Sequence, residues 1–313
     1  MFQIIRYSPE RHDEWNRFVT TSKNGTFLFD REYMDYHADR FRDHSLMFYL
    51  KGKLYALLPA NEKDDTLYSH QGLTYGGLVL GVEATTPYVL ELFRSLREYL
   101  LQHDFRHVLY KAIPWIYHRV PAEEPLYAIH QLGNYRLKER DVSSTIVMNR
   151  LLPWRKGRRY ALSVSRRNGL VVSQNQNFED FWNILKDNLW RKHGATPVHS
   201  LSEIHLLHGR FPNNIKLFEA RKDGALLGGC VVYLTSQVVH TQYIAASPEG
   251  KRLGAIDAII GELIHSYSDY PYFDFGKSTE AHSDELNENL IFQKEGFGAR
   301  AMCYDTYEWD ILL

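Results

Sequence analysis

Two cysteines in 313 residues, Cys230 and Cys303, are too few for a disulfide framework or a four-cysteine zinc site. No apolar run approaches the ~20 residues that span a bilayer, so no membrane insertion is expected. The opening MFQIIRYSPERHDEW also lacks the apolar segment of a secretory signal. Net charge is nearly absent, with 37 Lys+Arg against 38 Asp+Glu, which argues against DNA and against general phosphate-held nucleic-acid binding. Only a local basic patch leaves such ligands open. HExxH, the GxSxG elbow, the P-loop and GxGxxG are all missing. His205 and His208 lie three apart on an expected helix with His199 upstream, but no carboxylate or Cys completes a ligand set, so no metal is expected. A soluble, cytoplasmic globular protein is the base expectation, and nothing specifies its oligomeric state.

The chain is 44% hydrophobic and 14% aromatic, with 21 Tyr and 15 His. Its length predicts two domains or one large one, at roughly 150 residues per domain. Many Tyr suit half-buried strands and equally suit polar, sugar-like ligands, because each ring offers both a face and a hydroxyl.

Periodicity gives an α/β order. FQIIRY reads as a strand, Glu14 to Thr21 as a helix, and Arg31 to Phe41 as a second helix. SLMFYL, KLYALLPAN and TLYSHQGLTYGGLVL read as antiparallel strands, Thr86 to Gln102 as an amphipathic helix, and HVLYKAIP as a buried strand. The second half repeats this order: strands over 214–247 with an Asp223-Gly224 turn, a helix from about Pro248 to Tyr267, the strand YFDFG, a helix from about Asp284 to Lys294, and the strand ARAMCYDTYEWDI. FYLKGKLYALLPA aligns with FEARKDGALLGGC at an offset near 172, and HVLYKAIP with YFDFGKST near 165. Two diverged copies of one α/β unit are expected, each a mixed, largely antiparallel sheet flanked by helices. The boundary is placed near Met148 to Arg155, giving domains 1–150 and 151–313.

Pro248 suits a first helical turn after a strand ending at Ser247. Gly250, Lys251, Arg252 and Gly254 then precede an apolar helix, where exposed N–H groups and the helix dipole favour a pyrophosphate. An ordinarily capped surface helix is the competing reading. YIAAS at 243–247, the helix after it, FDFG at 273–276 and Lys294-Glu295-Gly296-Phe297 together resemble the GNAT superfamily of acyl-CoA N-acyltransferases. The closer likeness is to its tandem, FemABX-like branch of aminoacyl and acyl transferases of bacterial envelope biosynthesis. That loop usually reads Arg/Gln-x-x-Gly-x-Gly/Ala; here Ile256 holds its last position, and Gln293 replaces a phenylalanine of the late motif.

The resemblance implies an acyl-CoA (acetyl-CoA) donor held by Ala246, Ser247, Gly250, Lys251, Arg252 and Gly254. An oxyanion near Tyr243 to Ala246 would be met by backbone N–H groups. Lys294 matches a family lysine at the reacting centre; the alternative is a solvated helix-end lysine. Asp274 is expected to hold the acceptor or relay a proton, or merely to face a neighbouring Arg or Tyr. GNAT enzymes often use a Tyr as acid, and Tyr304 and Tyr307 are weak substitutes. His70, Thr74 and Tyr75, in a glycine-rich stretch, are expected to contact the acceptor, unless that stretch is a plain turn. The run holding Arg155, Lys156, Arg158, Arg159, Arg166 and Arg167 resembles the basic helix opening the second domain, with Arg158 and Arg159 as diphosphate ligands, or else a solvated face. The implied activity is N-acyl transfer to a small-molecule or glycan-precursor amine. A tRNA-borne aminoacyl donor and a non-catalytic nucleotide-sugar or partner-binding module stand as alternatives.

Overall fold

The structure, a computed structural model, describes residues 2–280 and 285–312. The first half runs β1 (Gln3–Arg6), α1 (His12–Thr21), α2 (Arg31–Met34), β2 (Arg42–Asp43), β3 (Leu46–Leu50), β4 (Lys53–Leu58), β5 (Asn61–Lys63), β6 (Thr66–Tyr68), β7 (Val79–Leu80), α3 (Thr86–Gln102), β8 (His107–Lys111), α4 (Glu124–Leu132) and β9 (Arg136–Val147). The second runs α5 (Lys156–Arg167), β10 (Val171–Asn175), α6 (Glu179–His193), α7 (Leu201–Arg210), β11 (Ile215–Lys222), β12 (Ala225–Leu234), β13 (Val238–Ala246), α8 (Pro248–Arg252), α9 (Ala255–Ser266), β14 (Tyr272–Lys277), α10 (Glu288–Glu295) and β15 (Arg300–Asp310).

The repeated order read from the sequence is also a repeated pairing. β1–β3, β3–β4 and β4–β7 are antiparallel, as are β10–β11, β11–β12 and β12–β13. The copies diverge after that. A β5–β6 hairpin is inserted in the first, and β8 takes β6 as its parallel partner. In the second, β14 lies parallel to β13 directly.

Two compact units emerge: Met1–Asp141 with Cys303–Leu313, and Val142–Met302. The division therefore differs from 1–150 and 151–313. Residues 143–147 of β9 pair with β14 and so belong to the second unit, while β15 pairs with β8 and completes the first. Each repeat thus gives its last strand to the other unit. The ladder bonds of β9 carry the boundary away from Met148 to Arg155.

Apolar spacing explains the second unit's layers. Phe178, Phe181, Trp182 and Leu185 recur at the helical period and are buried, which seats α6 on the sheet. Gly229 on β12 makes room, because a Cβ there would stand 2.4 Å from the Phe181 ring. On the opposite layer, Ile259, Ile260 and Leu263 of α9 meet Val239, Phe273 and Phe297 in one core. Full burial of each such side chain contributes about 1.5–3 kcal/mol.

Several expected elements are shorter. The strand expected over 66–80 forms only as β6 and β7, because His70 (φ 69°) and Gly77 (φ 84°) turn the chain between them. The helix expected from Arg31 to Phe41 stays α-helical only to Met34 and ends as a 3-10 turn at His37. The helix expected over 248–267 breaks at Gly254 (φ 74°), which caps α9 and sits so close to Ala161 that a Cβ would meet its carbonyl at 2.3 Å. The last helix starts at Glu288 with Asn287 accepting from the Leu290 N–H; the expected start at Asp284 lies outside the described residues.

Candidate active site

The second unit's sheet opens at one place. The parallel ladder between β13 and β14 ends at His240–Asp274. Farther along, β13 keeps only β12 as a strand partner, with an irregularity that puts Thr241 opposite Val232 and Tyr243 opposite Val231, so Gln242 is extra. β14 also changes register against β9 between Asp274 and Lys277. Ile244, Ala245 and Ala246 beyond this opening form the floor of a cavity of about 480 Å³.

Its walls combine apolar and cationic groups: Ile256 and Leu290 on one hand, Arg158, Lys192 and Lys251 on the other. Asn188 of α6 ties the parts together. Its amide donates to Ala246 O at 3.1 Å, and its Oδ1 accepts from Lys251 Nζ at 2.8 Å. Burial, followed by repulsion from Lys192 and Arg191, pushes the Lys251 ammonium below its ordinary value. Arg191, Lys192, Ser247, Pro248 and Lys251 also line an adjoining cavity of about 120 Å³. Asp257, in the first turn of α9, pairs with Arg158 at 3.2 Å; burial raises its carboxyl despite that partner.

Beside the opening lies a buried polar network. Asp274 accepts from Ser143 Oγ (2.6 Å), Thr145 Oγ1 (2.7 Å), His240 Nδ1 (2.8 Å) and Gly276 N (3.0 Å). Burial alone would raise its carboxyl; His240 and the two hydroxyls outweigh that and hold it low. Lys294 spends its three N–H donors on Gly276 O (2.8 Å), Lys277 O (2.7 Å) and Ser278 Oγ (2.9 Å). Burial lowers its ammonium to about 8, against the pull of Asp274.

These positions place the expected site residues unevenly. Ala246, Ser247, Lys251 and Arg158 line the two cavities. Gly250 lies under them, so close to β12 that a Cβ would meet Leu227 O at 1.9 Å. Gly254 packs on α5, Arg252 reaches Glu249 on the surface, and Arg159 is exposed without lining either cavity. Asp274 is fully buried, and its carboxylate accepts from four donors. Lys294 braces the end of β14. Tyr243 contacts His199 Nδ1 at 2.6 Å and packs its ring on Trp182.

His70, Thr74 and Tyr75 belong to the first unit. His70 is buried beside His37 and Phe41, Tyr75 packs on Phe29 and Tyr117 with its hydroxyl donating to Thr26, and Thr74 is half-buried. Two of the three are thus core residues, held there because Lys111 Nζ braces the carbonyls of 70, 71 and 73. Tyr304 and Tyr307 also lie in that unit, on Tyr117 and Asp305 respectively. His208 binds Ile215 O, and among the described residues no His, Cys, Asp or Glu group gathers for a metal ion. No described helix is long and apolar enough to cross a membrane.

Sequence reasoning missed α6, and with it Asn188 and Lys192. The signal was present in the apolar spacing 178/181/182/185, followed by a basic end.

Residues 154–283 match the family model described as an acetyltransferase (GNAT) domain. Among solved structures, FemX superimposes with a TM-score of 0.71 at 11% identity, covering 98% of this chain and 97% of that one. L-PGS from Bacillus licheniformis gives 0.60 at 13% identity, with 97% and 92% covered. A tandem GNAT protein from the clavulanic acid biosynthesis pathway gives 0.52 at 11% identity, with 99% of each chain covered. No curated protein sequence matches this chain. The fold is that of the GNAT superfamily in its tandem, FemABX-like form.

Proposed function

We propose that this chain is an N-acyltransferase that moves an acyl group from acyl-CoA to an amine. The observation that carries this reading is the 480 Å³ cavity, with its floor at Ile244–Ala246 and its cationic wall at Arg158, Lys192 and Lys251. A crowded ammonium such as Lys251, lowered by burial and then by its cationic neighbours, is what a phosphate-bearing ligand relieves. The donor set therefore fits the phosphates of CoA, and the apolar floor fits its acyl arm. The acceptor class, an amino sugar or peptide intermediate of envelope glycan synthesis, follows from the FemABX-like resemblance.

The chemistry follows from the opening between the strands. Along a strand, alternate N–H groups point to each side, so β13 beyond His240 turns some of them toward the side that β14 leaves. Such donors suit the oxyanion formed when an amine attacks a thioester. Holding both reactants in one cavity removes much of the entropic barrier. Lys294 keeps β14 at the required divergence, Asp274 anchors the buried network, and Tyr243 with His199 fixes α7 against β13.

Titration of the intact chain with acetyl-CoA, followed by CoA-thiol release in the presence of amino-sugar and peptide amines, tests this reading. Binding and amine-dependent release are expected. No binding of any CoA species, together with salt-sensitive tRNA binding, would replace the donor by an aminoacyl-tRNA. Nucleotide-sugar binding without turnover would make the chain a binding module.

A further inference from the structure

We infer that the outer face of α5 docks the chain on an anionic lipid surface, without crossing it. The helix reads KGRRYALSVSRR and holds no carboxylate. Its period sorts the cations. Arg158 turns inward, pairing with Asp257 and lining the large cavity. Lys156, Tyr160, Ser163 and Arg167 stand at i, i+4, i+7 and i+11 on the opposite side, and all four are exposed. Arg159 and Arg166 flank that stripe and are exposed as well. Among the described residues no carboxylate pairs with Lys156, Arg159, Arg166 or Arg167, whereas Arg155 just ahead of the helix meets Glu295 at 3.6 Å. Four unpaired cations on one face repel one another, and a negatively charged surface relieves that repulsion.

Open apolar side chains at the same end separate a lipid surface from a nucleic acid. Leu151 and Leu152, shortly before α5, are 56% and 41% exposed, and Tyr160 is 65% exposed on its outer face. Phe292 is 65% exposed and lies under the Arg155 guanidinium, 4.0 Å from ring centroid to Cζ. Leucines this open lose their water on entering a headgroup layer, and an aromatic ring beside a guanidinium suits its boundary. A sugar–phosphate backbone has no apolar layer to receive them. The whole-chain charge of -1 also argues against holding polyanions at large.

The docking face has a fixed orientation. A Cβ at Gly254 of α9 would meet Ala161 O at 2.3 Å, and one at Gly261 would touch Leu162 at 3.5 Å, so the inner side of α5 is seated closely on α9. Because Arg158 on that inner side lines the cavity, a chain held by the outer face keeps the cavity about one helix diameter, ~10 Å, from the headgroups. That placement suits an acceptor presented at a lipid surface. The docking itself does not depend on the acyltransferase reading.

The test is co-sedimentation of the intact chain with vesicles of phosphatidylcholine alone or mixed with phosphatidylglycerol, across a range of salt. Binding is expected only where phosphatidylglycerol is present, and it should fall steeply as salt rises. K156Q/R166Q/R167Q is expected to lower the partition coefficient by about tenfold or more without lowering the melting temperature. L151S/F292S is expected to lower it severalfold while leaving the salt slope unchanged. No binding to phosphatidylglycerol vesicles at low salt, or equal binding by the triple variant, overturns the inference. So does tighter binding of tRNA that the triple variant loses and L151S/F292S keeps, which would assign the face to nucleic acid. None of these outcomes bears on whether acetyl-CoA enters the cavity, so the acyltransferase reading stands or falls separately.

Discussion

His240 Nδ1 and Asp274 Oδ2 meet 2.8 Å apart across the last residue pair of the parallel strands β13 and β14. That contact marks the point where pairing between β13 and β14 stops; the cavity floor lies farther along β13, at Ile244–Ala246. The same network reaches Gly276, whose carbonyl receives Lys294. The opening is therefore braced from both sides: a carboxylate inside and an ammonium at the strand end.

Lys294 sets an alkaline limit. Its ammonium, lowered to about 8 by burial, must be charged to donate all three bonds. Raising pH through about 8 removes one donor and loosens β14, so kcat is expected to fall with an apparent pKa near 8. Its folded value lies below that of the unfolded chain, so global stability should rise, not fall, between about 8 and 10.5. Separate pH profiles of kcat and of the urea midpoint check the two opposite slopes. Lys294→Met should abolish the kcat limb.

The cationic wall predicts proton-linked donor binding. Lys251 is depressed by burial and by Lys192 and Arg191, and a bound phosphate favours its charged form. Acetyl-CoA affinity should therefore weaken as pH rises through the range in which Lys251 loses its proton, and titrations at increasing alkaline pH check this. Asn188→Ala frees Lys251 from its 2.8 Å contact and should raise the dissociation constant by roughly tenfold, the effect of losing one charge-assisted contact.

The first unit should be acid-sensitive. Burial, with the charges of His37, Arg31 and Lys111, holds His70 at about 3, and burial holds His118 at about 4. The unfolded chain binds these protons near 6.5, so stability is full above that value and is lost as pH falls toward 3. His70→Asn, which tolerates the positive φ, should flatten the slope of the urea midpoint between pH 7 and 5. An identical slope in the variant would refute the assignment.

Much of this architecture was legible and some was not. Helix 86–102 and the three strands from 215 to 246 follow period and turn chemistry directly. The strand exchange was illegible, because β9 and β15 carry the same pattern whichever sheet receives them. His70 and Tyr75 looked like a polar wall, but residue type cannot distinguish a buried aromatic cluster from an open one. Asp274 was found as a candidate; its partner His240 was not, since only the register of β13 against β14 brings positions 34 residues apart into contact.

Gly229 tests how the donor wall is seated. Adding a Cβ 2.4 Å from the Phe181 ring forces α6 outward, so Gly229→Ala should cost about 1–3 kcal/mol and also weaken acetyl-CoA binding through Asn188 and Lys192. Paired melting and binding measurements on the same preparation check this; lost stability with unchanged affinity would separate α6 from the donor site.

Calorimetric titration of the intact chain with acetyl-CoA, repeated on the Lys192→Ala/Lys251→Ala double variant, probes the cavity itself. Single-site binding that the double variant weakens by tenfold or more is the predicted result. Failure of the intact chain to bind acetyl-CoA, or equal affinity in the double variant, would contradict the assignment of this cavity as the acyl-donor site.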